Sequence, residues 1–310
     1  MYMYLPIALT SVNYLLVVGL GLGVGLLSGL FGVGGGFLMT PLLMMIGIPP
    51  TIAAATDANQ IVAASASGTF AHWRLGNVDF KMGILLLVGG FVGGAFGVQL
   101  IKILRATGGA DFLIKITYVV MLGLVGTFMF FESLNAIRKG KKAAKTAAPA
   151  EKEAPKKKGG LLASLPMQVY FDKSGVSHSA LIPIGLGAFV GVLAAIMGVG
   201  GGFLMVPVMI YMLRMPMHVV VGTSLFQILF TCIEVTFLQA YSNHTVDFIL
   251  ALLLLVGSVF GAQIGTVLGR KLHGEQLKIL LSIIVLAVTV KIVLELVLEP
   301  SLLLALAGGH

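Results

Sequence analysis

The sequence predicts an all-α polytopic membrane protein built from two homologous halves, and three observations support this fold class. Hydrophobic residues make up 58% of the chain and charged residues only 10%, with the apolar residues gathered in long runs. An ordinary soluble domain carries about a quarter charged residues. A glycine-rich motif occurs twice, at residues 32–41 and 198–207, and similar polar signals follow each copy in the same order. The pattern therefore indicates a duplicated bundle of membrane helices.

The two copies of the glycine motif differ at one position. The first reads GVGGGFLMTP and the second GVGGGFLMVP, so Thr40 corresponds to Val206. Each copy interrupts an apolar run. Because lipid offers no hydrogen-bond partner to a bare peptide group, such a break must be buried in protein or line a wet cavity. Paired breaks at matching places in two halves point to the binding site of a transporter.

The first half, residues 1–132, contains five apolar segments that indicate helices. They span residues 13–31, 37–48, 51–70 and 80–104, with a fifth that ends near residue 131. The second segment is shorter than the roughly 20 residues that a helix needs to cross the hydrocarbon core. We therefore expect a broken or re-entrant helix at half depth, stopped by Pro49-Pro50. Glycines in the fourth segment would let helix backbones approach closely.

Residues 133–179 form a basic linker of different composition. Lys, Ala, Pro and Gly dominate as far as residue 160, and such a composition buries too little apolar surface to order itself. Basic loops beside membrane helices mark the cytoplasmic side more often than a nucleic-acid site. Residues 167–177 predict a short hairpin with its turn near residues 173–175. The hairpin is either a small lid or a return into the membrane.

The second half, residues 180–310, repeats the order of segments. They span residues 180–197, 203–213 and 217–241, followed by a glycine-rich helix and a last helix that ends near residue 298. Five segments per half is an odd number, so the second half would enter from the opposite side and the repeats would be inverted. If each short segment merges with a neighbour, four spans per half would instead make the repeats parallel.

These residues resemble the sulfite exporter TauE/SafE family, also called the toluene sulfonate uptake permease family. The resemblance covers nearly the whole chain except the linker, and rests on the paired motifs, on Gly222-Thr223-Ser224 and on the Val246-Asp247 turn. It implies a multi-pass transporter of the cell inner membrane that exports a small sulfur-containing anion such as sulfite, sulfoacetate or a related organosulfonate. The first half departs from the family pattern, because Ala55-Thr56-Asp57 places a carboxyl group where the family has a hydroxyl group.

The candidate binding residues lie in the two glycine motifs and in the segment that follows each. Backbone N–H groups at a helix N-terminus can hold an anion without carrying a full charge, and glycine lets a ligand approach the main chain. We therefore expect two half-helix N-termini to meet near the membrane midplane. The alternative is that the glycines only allow tight helix crossing. The predicted binding residues are Gly34, Gly35, Gly36, Thr56, Asn59, Gln60, Gly200, Gly201, Gly202, Thr223, Ser224 and Gln227.

Asp57 is predicted to couple proton movement to anion export. A carboxyl group inside a membrane span is costly when charged, so it is rare and usually functional. The alternative is a neutral, hydrogen-bonded carboxyl group that holds neighbouring helices together. The single cysteine, Cys232, is expected to be a buried thiol in a helix.

The sequence indicates no catalytic residue, metal site or cofactor. The glycine motif lacks the Lys-Ser/Thr of a P-loop and the strand context of a dinucleotide site, and no two-histidine or cysteine cluster offers a metal centre. We therefore expect a transporter and not an enzyme. An uptake permease for another small anion, or a membrane scaffold, stays as an alternative. The expected partners are a small anionic substrate and the lipid bilayer, without nucleic acid; the sequence leaves the coupling ion and the oligomeric state open.

Overall fold

The computed structural model describes residues 2–31, 36–143, 167–269 and 274–298. Both halves have the same order of elements: a β-hairpin, a helix, a short helix and three further helices. The first half comprises β1 (Tyr2–Leu5), β2 (Thr10–Asn13), α1 (Tyr14–Phe31), α2 (Gly36–Met45), α3 (Pro50–Arg74), α4 (Phe80–Ala106) and α5 (Ala110–Ala143). The second half comprises β3 (Gln168–Phe171), β4 (Val176–Ser179), α6 (Leu181–Met197), α7 (Gly202–Tyr211), α8 (Met217–Leu238), which continues as a π-helical turn (Gln239–Asn243), α9 (Phe248–Gly269) and α10 (Gly274–Leu298).

Within the described ranges, four helical stretches are long and apolar enough to cross a membrane. They are Phe80–Ala106, Ala110–Phe128, Val219–Asn243 and Phe248–Gly265. The apolar helices Tyr14–Leu27, Gly36–Met45 and Leu181–Met197 are shorter. The prediction of a helical, polytopic protein is therefore confirmed. At ten residues, α2 and α7 are too short to cross the hydrocarbon core, because a helix rises only about 1.5 Å per residue.

A short β-hairpin precedes the first helix of each half. β3 and β4 pair in antiparallel fashion, with Gln168 opposite Ser179, and this confirms the hairpin predicted at residues 167–177. The hairpin of β1 and β2 has the same length, with Tyr2 opposite Asn13. The sequence pattern does not indicate this first hairpin, because its second strand runs directly into an apolar segment.

The fifth helix extends further than the sequence pattern predicts. Its apolar segment was expected to end near residue 131, whereas α5 continues to Ala143, into the basic segment. The residues that extend it include Ala and Lys, which have high helix propensity and continue a helix that packing has already started.

The two halves interlock, because the first helix of each half packs against the fourth helix of the other. α4 packs on α6, and α1 packs on α9. Glycines make this contact close: a Cβ atom built at Gly89 would lie 2.8 Å from the backbone nitrogen of Ala188, and one at Gly187 would lie 2.9 Å from the carbonyl carbon of Leu86. The backbones therefore touch with no side chain between them. The contact of α1 with α9 uses the corresponding glycines Gly21, Gly25, Gly257 and Gly261.

The centre of the molecule is the crossing of α3 and α8. Both helices carry the polar residues that follow the glycine motifs, and each also contacts the short helix before it, α2 or α7. The helices α5 and α10 pack on one another. This arrangement brings the start of α2, the second glycine motif and the polar residues of α3 and α8 into one region.

Candidate functional site

The two short helices begin beside one another. Phe37 and Phe203 are the second residues of α2 and α7, both are buried, and their ring centroids lie 5.8 Å apart. Each helix begins where the glycine run of its motif ends, because three adjacent glycines disfavour a continuous helix. The side chains at the N-terminal ends of the two short helices are therefore in contact.

The second glycine motif is a left-handed loop that only glycine fits. Gly198, Gly200 and Gly201 have φ values of +71°, +68° and +73°. A Cβ atom at Gly198 would overlap the backbone of Ala54 on α3, and one at Gly200 would lie 2.7 Å from the Sγ atom of Cys232. Both the conformation and the close approach therefore require glycine. Of the other predicted glycines, Gly36 and Gly202 begin the two short helices and are buried, and Gly34 and Gly35 lie outside the described residues.

Both motifs approach the same side chain on α3. A Cβ atom built at Gly36 would lie 3.0 Å from Ile61 Cγ1, and one built at Gly200 would lie 3.5 Å from Ile61 Cγ2. Ile61 packs with Ile228 and Cys232 in a small buried cluster between α3 and α8. The structure thus brings Gly36 and Gly200 together across apolar side chains. The expected burial of Cys232 is confirmed.

The two equivalent threonines, Thr56 and Thr223, hold the start of a helix from the other half. The Thr56 hydroxyl oxygen accepts a hydrogen bond of 3.1 Å from the backbone N–H of Asp247, and the Thr223 hydroxyl oxygen accepts one of 3.0 Å from that of Asp79. Both threonine side chains are fully buried. These two bonds join α3 to the start of α9 and α8 to the start of α4.

The two aspartates cap these helices and also hold the hairpins. Asp79 accepts a hydrogen bond from the backbone N–H of Met82 at 3.1 Å, and its other oxygen accepts one from the Ser174 hydroxyl at 2.5 Å. Asp247 accepts from the Leu250 N–H at 3.1 Å and from the Ile7 N–H at 3.2 Å. A carboxylate is favourable at a helix N-terminus. Two junctions of hairpin, capped helix and threonine therefore join the halves, and we call them the Asp79 clasp and the Asp247 clasp.

The remaining predicted polar residues lie along the α3–α8 crossing. The Ser224 hydroxyl donates to the Val221 carbonyl oxygen of its own helix at 3.1 Å, and the Gln227 amide donates to the Thr231 hydroxyl at 2.9 Å. Gln227 and Gln60 are buried, and neither side-chain oxygen bonds to any residue that the structure describes. Asn59 is half-buried. The unbonded oxygens can only accept hydrogen bonds, so an anion would be held by the amide N–H groups of these side chains.

Asp57 lies in a buried polar chain that reaches the second glycine motif. The Thr40 hydroxyl lies 2.9 Å from Asp57 Oδ2 and 3.5 Å from the Met197 carbonyl oxygen. Tyr118 also donates its hydroxyl to the Met197 carbonyl oxygen. Asp57, Thr40 and Tyr118 are each fully buried. The chain thus connects α2, α3 and α5 to the end of α6, immediately before Gly198.

Thr40 and Tyr118 are site residues that the sequence pattern did not select. The signal for Thr40 was present, since it is the single difference between the two motifs. Tyr118 lies in an apolar helix, far from both motifs in sequence, and only the packing of α5 on α3 and α6 brings it to the site.

Comparison with known proteins shows the family of this chain. A family model described as sulfite exporter TauE/SafE matches residues 17–292. The chain is 27% identical over 295 residues to probable membrane transporter protein YunE of Bacillus subtilis, covering 91% of this chain and 98% of that protein. It is 31% identical over 110 residues to sulfite exporter TauE/SafE family protein 1 of Arabidopsis thaliana, covering 35% of this chain and 24% of that protein. No solved structure matches the chain. The chain therefore belongs to the sulfite exporter TauE/SafE family and is a multi-pass membrane transporter, not an enzyme.

Proposed function

We propose that this protein is a secondary transporter that exports a small sulfur-containing anion, sulfite or an organosulfonate such as sulfoacetate, across the cell inner membrane. The observation that carries the proposal is the convergence of the starts of two short helices, where the Phe37 and Phe203 rings lie 5.8 Å apart and Gly36 and Gly200 both approach Ile61. Backbone N–H groups at such termini bind oxyanions, and their dipoles add to the attraction. The family name and the relative from Arabidopsis thaliana support a sulfur oxyanion as the substrate.

The binding site in this proposal consists of the glycine motifs and the polar side chains of α3 and α8. The Gln60 and Gln227 amide groups and the Thr56, Thr223 and Ser224 hydroxyl groups supply hydrogen bonds around the anion, beside the main chain of Gly34–Gly36 and Gly200–Gly202. Each threonine oxygen already accepts a backbone hydrogen bond, which leaves its own O–H free to donate.

The two halves act as inverted repeats, with α2 and α7 as re-entrant helices that start at the midplane. The exchange of partners between halves supports this arrangement, because α1 packs on α9 in the way that α4 packs on α6. In this arrangement the short apolar helices α1 and α2 enter and leave the bilayer on one side, so three crossings remain per half, and this odd number reverses the second half in the bilayer. The basic linker then lies in the cytoplasm, as the positive-inside tendency prefers.

Transport requires that the apolar cluster beside the glycine motifs move. Ile61, Ile228 and Cys232 fill the space next to Gly36 and Gly200, so a ligand on the main chain of Gly200 must displace at least one of them. The structure in this proposal is an occluded conformation, and rocking of one half against the other opens the site to either side. Asp57 gains and loses the coupled proton during this cycle.

Flux measurements on the purified protein test the proposal. The protein is reconstituted in liposomes, and efflux and uptake of sulfite, sulfoacetate, sulfate and a carboxylate are measured under imposed anion and proton gradients. We expect sulfite or sulfoacetate to be carried, and a proton gradient to accelerate the flux. Thermal unfolding of the detergent-solubilised protein against the same anions measures binding independently of transport.

A matched pair of glycine variants shows whether the second motif forms the site. Gly200→Ala and Gly175→Ala both place a side chain at positive φ, +68° and +63°, but Gly175 lies in the β3–β4 loop with no atom near its Cβ position. We expect Gly200→Ala to lose most of the flux and the anion-dependent stabilisation, and Gly175→Ala to keep both. Equal flux in the two variants, or flux of carboxylates alone, would contradict the proposed site or substrate. Net uptake under every gradient would favour the uptake permease.

A further inference from the structure

The polar chain around Asp57 exists in one half only. Thr40 and Asp57 occupy positions that hold Val206 and Ser224 in the second half, so the second half has no hydroxyl group in place of Thr40 and no carboxyl group in place of Asp57. The clasps, by contrast, occur twice. The polar chain is therefore an addition to a duplicated scaffold and not a part of what holds it together.

The hydroxyl and carboxyl hydrogens of this polar chain can be arranged in two ways, depending on whether Asp57 is ionised or protonated. When Asp57 is ionised, the Thr40 hydroxyl donates to Asp57 Oδ2 and the Tyr118 hydroxyl donates to the Met197 carbonyl oxygen. The two hydroxyl donors, Thr40 and Tyr118, then each have an acceptor, Asp57 Oδ2 for Thr40 and the Met197 carbonyl oxygen for Tyr118. Thr40 Oγ1 lies 2.9 Å from Asp57 Oδ2 and 3.5 Å from the Met197 oxygen, so it is within hydrogen-bonding distance of both.

A proton on Asp57 reverses the bond to Thr40. Asp57 Oδ1 is buried and has no hydrogen-bond partner among the described residues, so a proton on that oxygen would be a buried donor without an acceptor. The proton is more stable on Oδ2, where the carboxylic O–H donates to Thr40 Oγ1. The single hydrogen of Thr40 must then turn to the Met197 carbonyl oxygen, which has a second lone pair available.

We propose that Thr40 is a positioning residue that transmits the protonation state of Asp57 to the second glycine motif through the Met197 carbonyl group. Met197 ends α6 and directly precedes Gly198, whose left-handed conformation begins the loop. Protonation pulls α2 toward the end of α6, and deprotonation releases it. The inference rests on the proposed proton-coupled transport and names the residue that links the proton to the binding loop.

Several titratable groups lie near Asp57, and we consider each helix that packs against it. The neighbouring titratable side chains are Tyr118 on α5, which shares the Met197 carbonyl oxygen with Thr40, and Cys232 on α8, which packs with Ile61. At the start of α9, Asp247 is held by the neighbouring residue Thr56 and already accepts backbone hydrogen bonds. Along α2 the residue in contact is Thr40, which does not titrate.

Substitutions at Thr40 test the link directly. Thr40→Val copies the residue of the second motif and removes the hydroxyl group while keeping the shape, whereas Thr40→Ser keeps the hydroxyl group. Thr117→Val is the matched control, because the Thr117 hydroxyl bonds only the Leu113 carbonyl oxygen of its own helix. The readouts are the pH dependence of sulfite flux in liposomes and the infrared C=O band of protonated Asp57, which is identified by its loss in Asp57→Asn.

We expect Thr40→Val to shift the pH midpoint of flux and of the infrared band upward. The shift should be about one pH unit, because the bond that Thr40 donates to the ionised carboxylate is stronger than the bond it accepts from the protonated group, and losing both changes the ionisation equilibrium roughly tenfold. Thr40→Ser and Thr117→Val should keep the wild-type midpoint. An unchanged midpoint in Thr40→Val overturns the inference.

A second variant keeps the test decisive if Thr40→Val does not fold. Tyr118→Phe removes the competing donor at the Met197 carbonyl oxygen, so Thr40 turns toward it more easily and the midpoint should again rise. An unchanged midpoint in this variant would also overturn the inference. Absence of anion flux in the wild type would refute the proposed function, while the infrared titration would still decide whether Thr40 responds to Asp57.

Discussion

The contact between α4 and α6 can be tested by two glycines of one helix that differ in what surrounds them. Gly187 is buried, and a Cβ atom there would lie 2.9 Å from the Leu86 carbonyl carbon, 3.0 Å from the Leu86 Cα atom and closer still to the carbonyl oxygen. Gly185 lies two residues earlier and has no atom within 4 Å of its Cβ position. The pair Gly187→Ala and Gly185→Ala therefore separates close helix packing from local helix propensity.

Two contributions determine the stability of each variant: the gain in helix propensity and the cost of overpacking. Replacing glycine by alanine inside a helix contributes up to roughly 1 kcal/mol of stability, and this gain is common to both variants. At Gly187 the new methyl group meets backbone atoms of α4, which cannot rotate away as a side chain can, so the helices must separate. Overpacking of this kind costs about 1–3 kcal/mol. Gly187→Ala should therefore be less stable than Gly185→Ala by about that amount, toward its upper end.

Thermal unfolding of both variants in the same detergent measures this difference. Unfolding of membrane proteins is often irreversible, so apparent midpoints are compared at one scan rate. Gly185→Ala should unfold at or slightly above the wild-type temperature, and Gly187→Ala clearly below it. If the two variants unfold at the same temperature, the helices do not touch at Gly187 and the proposed backbone contact is wrong. A loss of stability in Gly185→Ala alone would refute the reasoning equally.

Two further predictions concern the Asp79 clasp. Thr223→Val should lower the free energy of unfolding by about 1–3 kcal/mol, because the buried N–H of Asp79 loses its acceptor; an unchanged unfolding temperature would contradict the bond. Ser174→Ala should destabilise the protein measurably in the same assay, whereas Asp172→Asn should have little effect, because its ion pair with Lys81 is exposed to solvent.

The helical architecture could be predicted because lipid and helix geometry act on local sequence. The short segment after each glycine motif is followed by proline, and the structure has ten-residue helices there. The hairpin before α6 could be predicted from the sequence because it follows a polar segment and has a glycine in its turn. The equivalent hairpin before α1 merges into an apolar run, so no change of composition marks it.

The roles of the polar residues could be predicted less well, because they depend on which helices cross. The recurrence of Thr56 as Thr223 indicated a shared role, and a binding role stays a prediction for both. What the sequence could not reveal is that each hydroxyl oxygen accepts the N–H of a helix cap from the other half. Those caps, Asp247 and Asp79, lie 191 and 144 residues away along the chain, and no local pattern encodes such a contact.

Comparison of the two halves separates the residues that shape the protein from those that bias its conformation. The clasps and the glycine crossings occur twice, and a scaffold of two interlocked halves needs them twice. The chain of Thr40, Asp57 and Tyr118 occurs once. A buried carboxyl group is costly, and the second half holds Ser224 at the corresponding position, so the scaffold itself does not require Asp57. Protonation of Asp57 changes the charge of one half but not of the other. A proton can shift a conformational equilibrium only if it binds one conformation more tightly than another, and a titratable group in one half of the protein allows such a difference.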